Sequence, residues 1–483
     1  MNAAQPEVIV VGAGAAGLYT ALTAARLGAR VALVSATPLA GASSYWAQGG
    51  LAAALADDDS PETHLADTLA AGRDAVRESA ARVLCEEAPA AVEDLSRLGV
   101  TFDADRAGRL ALGLEGGHSV RRIVHAGGAA TGRRIIRQLS ALAAEDDRID
   151  VLEGSRVVRL RTHRGRATAI ELDDGATLAA RAIVLATGGA AALWARTTNP
   201  PGAIGGGLLL AHAAGARLAD LELMQFHPTA VVGVNGADGF LVTEAVRGEG
   251  ARLLDADGER FVNELAPRDE VARAVKRQMD ASGAAGVGLD MREVDPALFP
   301  NVVGALRRAG IDPEHDLVPV APAAHYMMGG VATDLHGRAS IPGLYAIGEC
   351  SCTGLHGANR LASNSLSECF VFGARAAQAA LDEPDPGAGP ALDPPGERPR
   401  VPITEASRAA LWRDGGLERD GEGLRRLAAD EHPLVQLIAR AALAREETRG
   451  AHLRRDFPQR DPELDNRHVT LTGPGEPVLD TWR

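Results

Sequence analysis

Three glycines near the start of the chain have the spacing of a dinucleotide-binding turn. Residues 8–17, VIVVGAGAAG, form a short apolar run that leads into Gly12, Gly14 and Gly17. In a G-x-G-x-x-G turn the first glycine allows the bend, the second lets the backbone approach a pyrophosphate, and the third lets helix and strand pack closely. The N–H groups at the start of the helix then attract the phosphates. This spacing, between a strand and a helix, favours a bound dinucleotide over a purely structural turn.

Charged residues and histidines concentrate in a few later segments. Residues 114–132 are rich in glycine and contain Glu115, His118, Arg121, Arg122 and His125 within eleven positions. Other polar groups occur in residues 227–229, 243–250 and 267–270. Taken alone, each has a structural explanation: a solvated loop, a capped histidine or an ion pair at a helix start. A few arginines and histidines brought together would equally bind a small anion.

The apolar pattern predicts the elements that position these groups. A strand, a helix over residues 18–28 and a strand over residues 30–35 form a βαβ unit. Residues 41–50 are a glycine-rich loop, and residues 382–402 are a Pro/Gly-rich linker. The remaining predicted elements are helices over residues 60–72, 78–98, 132–145 and 404–454, and strands over residues 149–160, 168–172, 181–189 and 342–348.

Composition excludes several classes of protein. A chain of 483 residues is too long for one core and indicates roughly two to four domains. The net charge of −14 argues against a nucleic-acid partner and an anionic membrane surface. No apolar run approaches the about 18 residues of a membrane span, and no export signal is recognisable. The four cysteines lack zinc spacing, so we expect no metal site, reduced thiols and a cytoplasmic location.

Several motifs together resemble one superfamily. They are YWAQGG, EGGHS, QFHPT, TEAVRGEG, LAPRDEVARA and GLHGANRLASNSL. They resemble the succinate dehydrogenase and fumarate reductase flavoproteins, and within these the L-aspartate oxidase family, over residues 8–380 and again near residues 449–458. The resemblance implies an α/β fold: a Rossmann-like FAD-binding domain in two parts (1–225 and 326–395), an inserted α+β capping domain (226–325) and a C-terminal helical domain (396–483).

The resemblance also implies FAD as a non-covalent cofactor. Respiratory relatives attach the flavin to a histidine near the AQGG loop, and the loop SSYWAQGG has none. Glu349 is expected to bind ribose hydroxyls, and the helix after Ser365 to stabilise the reduced flavin. The full implied cofactor set is Gly12, Ala13, Gly14, Ala15, Ala16, Gly17, Ser43, Ser44, Tyr45, Trp46, Ala47, Gln48, Gly49, Gly50, Arg156, Val157, Glu349, Ser365 and Leu366.

Four positions depart from the expected pattern of FAD-binding residues. The family usually has aspartates where this chain has Gly206 and Ala129, and a lysine at Ala36. In many dinucleotide-binding folds an acidic residue ends the second strand and binds a ribose, but Ser35 stands there. Either these replacements weaken FAD affinity, or backbone contacts alone bind the cofactor at these positions.

A four-carbon dicarboxylate is the implied substrate. Arg268 is expected to handle the proton, either through a relay with Asp269 and Glu270 or by positioning the substrate electrostatically. Glu115 would pair with the substrate ammonium, and Arg247 would hold Glu115 or the substrate. The expected carboxylate ligands are His227, His325 and Arg360, with polar contacts from Thr243 and Glu244.

The implied reaction is oxidation of L-aspartate to iminoaspartate, the first step of NAD biosynthesis. FAD accepts the hydride, and oxygen or fumarate reoxidises it; quinolinate synthase would be the functional partner. One alternative is a soluble fumarate reductase or dehydrogenase flavoprotein subunit that passes electrons to an iron–sulfur partner. Another is an inactive FAD-binding protein. Glu115 and the absence of the tethering histidine favour the amino-acid oxidase over the first alternative.

Overall fold

The computed structural model describes residues 5–385, 392–394, 396, 398–399 and 402–482. Much of the predicted linker over residues 382–402 lies outside these residues. The α-helices are α1 (Ala15–Arg26), α2 (Pro61–Ala71), α3 (Glu78–Arg97), α4 (Thr131–Glu145), α5 (Gly206–Ala213), α6 (Ala245–Gly248), α7 (Arg268–Ser282), α8 (Pro300–Arg308), α9 (Asn364–Leu381), α10 (Glu405–Asp414), α11 (Gly421–Leu427) and α12 (Pro433–Ala444). The strands are β1 (Val8–Val11), β2 (Val31–Ser35), β3 (Leu51–Ala52), β4 (Leu112–Gly113), β5 (Ile123–Val124), β6 (Ile149–Glu153), β7 (Val157–His163), β8 (Arg166–Leu172), β9 (Thr177–Ala179), β10 (Ala182–Leu185), β11 (Leu218–Ala219), β12 (Met224–Val231), β13 (Arg252–Leu254), β14 (Val287–Asp290), β15 (Val318–Met327), β16 (Gly330–Ala332), β17 (Leu344–Ala346), β18 (Ser351–Cys352), β19 (Arg467–Leu471) and β20 (Val478–Thr481).

A parallel five-stranded sheet with the order β17-β10-β1-β2-β6 forms the centre of the first part of the fold. Helices α1 and α9 pack together on it, where the rings of Tyr19 and Phe370 meet edge to face at 5.2 Å. All four residues of β1 are buried, as a parallel strand covered on both faces requires. The predicted βαβ unit, the Rossmann-like α/β class and the strands over residues 181–189 and 342–348 are thereby confirmed.

Local sequence signals place several helix ends correctly. Ser60 is the N-cap of α2, and its Oγ accepts a hydrogen bond from the N–H of Thr63 at 3.1 Å. The Asp173-Asp174-Gly175 turn joins the hairpin β8–β9. The single strand predicted over residues 149–160 is wrong. The chain bends at Gly154, with φ +69°, so β6 belongs to the central sheet and β7 pairs with β8 in another.

The inserted segment has its own antiparallel sheet, of order β12-β15-β14-β13, covered by α7 and α8. The chain enters this sheet through β12 and leaves it through β15, and these two strands are paired with each other. Residues at the entry and exit of the segment therefore lie side by side. Val271, Val275, Leu289 and Val302 form part of its separate apolar core.

The C-terminal segment contains α10, α11 and α12 and then a hairpin of β19 and β20. The helices were predicted, but the hairpin was not. It joins β11, so the end of the chain completes a sheet with strands of the preceding parts. Buried Arg445 reinforces the contact, because its Nε lies 2.8 Å from Glu222 Oε1. Over the residues described, the model contains no helix with the length and apolarity that a membrane span requires.

Candidate active site

The glycine turn occupies the carboxyl end of the central sheet. Gly12 has φ +111°, and a Cβ there would lie 2.3 Å from the carbonyl oxygen of Ala186. A Cβ on Gly17 would lie 1.9 Å from the carbonyl oxygen of Gly12. Both glycines are therefore sterically required, as the turn motif predicts. Gly14 is the N-cap of α1 and has no capping side chain, and the buried Ala13, Ala15 and Ala16 flank it.

The AQGG loop lies against this turn. Ser43, Ser44, Tyr45 and Trp46 form a short 3-10 helix, and Ser44 Oγ accepts a hydrogen bond from the N–H of Ala15 at 3.2 Å. The carbonyl of Ala47 accepts from Gly132 N at 3.1 Å. Gln48 Nε2 donates to the carbonyl of Leu241 at 2.7 Å and so connects the loop with the inserted segment. Trp46 is 66% exposed, and its ring centroid lies 5.3 Å from that of Tyr45.

Glu349 faces the same end of the sheet. A Cβ on Gly189 would lie 2.2 Å from Glu349 Oε1, so the glycine after β10 makes room for this carboxyl. Burial raises the pKa of Glu349 to about 7, while the N–H of Met327, at 3.0 Å from Oε1, opposes the rise. The backbone N–H of Gly189 acts in the same direction, and a buried carboxyl with these two backbone neighbours retains acceptor capacity for further hydroxyl groups.

The remaining implied cofactor positions lie at the starts of α9 and β7. Ser365 and Leu366 lie in the first turn of α9. Arg156 is exposed just before β7, and Val157 is the first residue of that strand. Three positions differ from the residues that the family usually has. Of these, Gly206 begins α5, Ala129 is buried and Ala36 is exposed.

The predicted catalytic arginines meet at one buried carboxylate. Glu244 precedes α6, and its Oε2 lies 2.6 Å from Nε of Arg268, the first residue of α7. Its Oε1 lies 3.0 Å from Nη2 of Arg247, three residues further along. Burial raises the pKa of Glu244, but Arg268 and Arg247 outweigh burial and hold it below its usual value. Glu244 is therefore ionised, and it is the partner of both arginines.

The relay expected through Asp269 and Glu270 has different partners. Asp269 Oδ1 lies 3.0 Å from Arg73 Nη2, and Glu270 Oε1 lies 2.5 Å from the same nitrogen. Arg273 also binds Asp269, at 3.1 Å. These carboxylates hold the start of α7 against the loop before α3, so the acid that contacts Arg268 is Glu244 instead.

Arg360 approaches the pocket from the segment before α9. Its guanidinium lies 4.6 Å from the ring centroid of Tyr326, and its Nη1 donates to Ser365 Oγ at 3.1 Å. Its Nε is buried without a hydrogen-bond partner. Burial and the charge of Arg268 lower its pKa to about 10. An arginine that is only partly satisfied and faces another arginine is suited to an anionic ligand.

The two histidines come from the paired strands β12 and β15. The rings of His227 and His325 are 5.0 Å apart between centroids. His227 Nδ1 accepts from the N–H of Thr229 at 3.3 Å, and Thr198 Oγ1 lies 2.8 Å from His325 Nδ1. Burial and then the charge of Arg268 hold both pKa values well below the usual range. Both rings are therefore neutral hydrogen-bonding groups. Thr243, from which a polar contact is expected, is buried.

Glu115 is buried and lies on the side of the pocket that faces the AQGG loop. Ser363 Oγ donates to its Oε2 at 2.6 Å, whereas its Oε1 has no hydrogen-bond partner. A buried carboxylate oxygen without a donor is costly unless a ligand supplies one. Its neighbours in the same motif have structural roles: His118 binds the carbonyl of Ala362, and Arg122 is fully buried between acidic groups.

Two residues in the pocket had no role from the sequence. Gln225 Oε1 accepts from Arg268 Nη1 at 3.1 Å, and its Nε2 donates to the carbonyl of Arg360 at 2.8 Å. It therefore spaces the two arginines. Ser363 is the other. Both lie inside motifs already singled out, QFHPT and GLHGANRLASNSL, but a motif does not say which side chain faces the ligand.

Comparisons with known proteins identify the family and the fold of the chain. A family model described as an FAD binding domain matches residues 7–366, and one described as the C-terminal part of fumarate reductase flavoproteins matches residues 429–479. The L-aspartate oxidase of Caulobacter vibrioides is 46% identical over 96% of this chain and 96% of its own length. That of Mesorhizobium japonicum is 47% identical over 96% of this chain and 94% of its own length. The solved E. coli quinol fumarate reductase has a TM-score of 0.87 at 26% identity, covering 99% of this chain and 97% of its own.

Proposed function

The chain belongs to the L-aspartate oxidase family of FAD-binding flavoproteins, and we propose that its buried arginine pocket is where the substrate binds. The protein uses FAD to oxidise L-aspartate to iminoaspartate, which is the first step of NAD biosynthesis from aspartate. The roles given to individual residues below, and the division into a two-part FAD domain, an inserted cap and a C-terminal domain, are proposals that the contacts support.

One observation carries the assignment of the pocket. The unpartnered Oε1 of Glu115 is buried close enough to Arg247 and Arg360 to interact with their charges. A diacid satisfies arginines and histidines, but only a substrate that also has an ammonium group satisfies this carboxylate. L-Aspartate has all three groups, whereas succinate and fumarate have two. Glu115 therefore distinguishes the amino acid from its simpler analogues.

The residues at the carboxyl end of the central sheet fit FAD. Gly12 and Gly17 allow the tight turn and close packing that place Gly14 and the start of α1 where pyrophosphate would bind, the N-cap Gly14 has no side chain to occupy that place, and Glu349 supplies an acceptor for ribose. When bound, FAD supplies the acceptor for the hydride that leaves C2 of the substrate. The start of α9, with Ser365 and Leu366, would lie nearby.

Polar residues of the pocket hold the substrate and manage its proton. Arg360 grips one carboxylate, and the neutral histidines donate to carboxylate oxygens. Since His227 Nδ1 accepts from Thr229 N–H, the ring proton of His227 resides on Nε2, which can donate. Arg268 relays the proton released with the hydride: it would accept this proton from the substrate nitrogen as it passes its own Nε proton to ionised Glu244, which lies 2.6 Å away. Arg247 acts through Glu244 and orients it.

The electron acceptor follows from the same chemistry. Fumarate is a four-carbon diacid and would occupy the carboxylate contacts without needing Glu115. Oxygen needs no such contacts. We therefore propose that either reoxidises the flavin, and that iminoaspartate passes to quinolinate synthase as the consuming enzyme.

An anaerobic titration tests the function. The FAD-loaded protein is expected to bleach on addition of L-aspartate and to release peroxide when air is admitted. Glu115→Gln should lose most of this response, whereas Glu249→Gln, which alters a carboxylate paired with exposed Arg121, should not. Bleaching by succinate but not by aspartate would instead identify a dehydrogenase-type flavoprotein.

A further inference from the structure

Three distant parts of the chain meet at one hydroxyl group. Ser363 Oγ donates to Glu115 Oε2 at 2.6 Å and accepts from the N–H of Gly50 at 3.2 Å. We propose that Ser363 is a positioning residue: it orients Glu115 toward the substrate ammonium and so sets the selection of an amino diacid over a plain diacid. This inference rests on the function proposed above.

The hydroxyl determines which carboxylate oxygen is free. Ser363 has a single proton to donate, and that proton is directed at Oε2 of Glu115. The other oxygen, Oε1, stays without a partner and lies 3.6 Å from the position a Cβ on Gly49 would take. It therefore faces the AQGG loop, on the side of the pocket where the flavin is expected.

Positively charged groups near Glu115 explain why its orientation has to be fixed by Ser363. Arg247 and Arg360 both attract Glu115 electrostatically. Without a fixed donor on Oε2, the carboxylate would be free to rotate toward these guanidinium groups and be neutralised by them. The bond from Ser363 opposes this rotation and keeps Glu115 available to the ligand.

The local backbone shows that this serine does not serve its own helix. Ser363 is the N-cap of α9, a position where a serine hydroxyl normally accepts a hydrogen bond from the first turn. Here it makes no such bond, and its φ is +60° in the left-handed region that favours glycine. Ser363 therefore does not cap the helix and keeps an unfavourable backbone conformation, and its hydroxyl binds Glu115 instead. This combination is expected of a functional rather than a stabilising residue.

Two substitutions separate the hydroxyl from the backbone. Ser363→Ala removes the hydroxyl and keeps the strain, whereas Ser363→Gly removes the hydroxyl and relieves it. The measurements are steady-state kinetics with L-aspartate and the dissociation constant of succinate, read from the perturbed flavin spectrum of the holoenzyme. Ser367→Ala is the matched control: Ser367 is buried in the same helix, and its hydroxyl donates to the carbonyl of Ala52 at 2.7 Å.

Both Ser363 variants should raise KM for L-aspartate by about tenfold and change the succinate dissociation constant less than about twofold. The two should agree in kinetics even though their thermal stabilities differ. The control should leave the ratio of the two constants as in the wild type. The positioning role would be overturned if the binding of aspartate and of succinate weakened equally. It would also be overturned if the KM values of the two variants differed in step with their thermal stabilities. If the wild-type protein itself does not oxidise aspartate, the proposed function fails first.

Discussion

Arg268 Nε and Glu244 Oε2 form a buried ion pair of 2.6 Å at the start of α7. The two residues are 24 positions apart in the chain. A second nitrogen of Arg268, Nη1, donates to the side-chain amide oxygen of Gln225. The arginine is thus fixed from two sides. A cation held in this way is preorganised, so it does not have to reorient when a ligand binds.

Replacing this arginine should stop the chemistry while leaving the cofactor in place. Arg268→Leu is expected to lower kcat with L-aspartate by about 10³-fold, the usual range for loss of a proton-handling group. Arg273→Leu is the control, because Arg273 lies on the same helix but binds Asp269. Rapid-reaction measurement of flavin reduction checks both. Normal reduction in Arg268→Leu would remove Arg268 from the catalytic step.

Loss of Arg360 should affect diacids of every kind. Arg360→Leu removes a charged hydrogen-bond donor, so KM for aspartate and the dissociation constant of succinate should both rise by about 10- to 100-fold. The parallel rise contrasts with Glu115→Gln, which should affect aspartate alone. A selective loss of aspartate binding in Arg360→Leu would contradict its assignment to a carboxylate.

FAD affinity should depend on pH through Glu349. Its folded-state pKa, about 7, exceeds the ordinary value of 4.5, so the folded apoprotein holds a proton that the unfolded chain has lost between these values. Stability of the apoprotein from this group therefore falls as pH rises from 4.5 to 7. FAD binding should strengthen over the upper part of that interval, because an ionised carboxylate accepts more hydrogen bonds. Fluorescence titrations of wild type and Glu349→Gln check this, and an unchanged slope in the variant would assign it to another group.

The glycine turn should tolerate no side chain at its third glycine. In Gly17→Ala the new Cβ would lie 1.9 Å from a backbone oxygen, which should lower the free energy of unfolding by about 3 kcal/mol or more and prevent FAD binding. Gly202→Ala meets no atom within 4 Å and should stay within about 0.5 kcal/mol of wild type. Thermal melts and retention of the yellow colour distinguish them. A stable, FAD-loaded Gly17→Ala protein would show that the helix can shift.

The C-terminal segment should depend on one buried arginine. Arg445→Met leaves the buried carboxylate of Glu222 without its cation, whereas Glu447 keeps Arg449, and the expected cost is about 3–5 kcal/mol. Arg426→Met removes an exposed arginine whose buried partner Asp414 keeps Arg413, so it should cost less than about 1 kcal/mol. Chemical denaturation measures both. Similar costs for the two would mean that the buried carboxylates find other donors.

Local sequence was enough for the parts of the fold that depend on neighbours along the chain. The G-x-G-x-x-G spacing predicted the turn at Gly12, because only glycine fits where strand, helix and β10 come within contact distance. Ser60 and Pro61 predicted the start of α2, because capping is completed within one helical turn. The motifs in turn predicted the family and its cofactor.

Tertiary structure decided which side chains in those motifs meet. The pairing of β12 with β15 brings His227 and His325 together, and no local pattern encodes a contact between residues almost a hundred positions apart. The same holds for Ser363 and Glu115, which are 248 positions apart. It also holds for the place of the final hairpin: β19 and β20 pair with each other, but β19 has its second partner in β11, far earlier in the chain. Sequence specified the residue types, while burial and the long-range register of the strands determined their partners and hence their charge states.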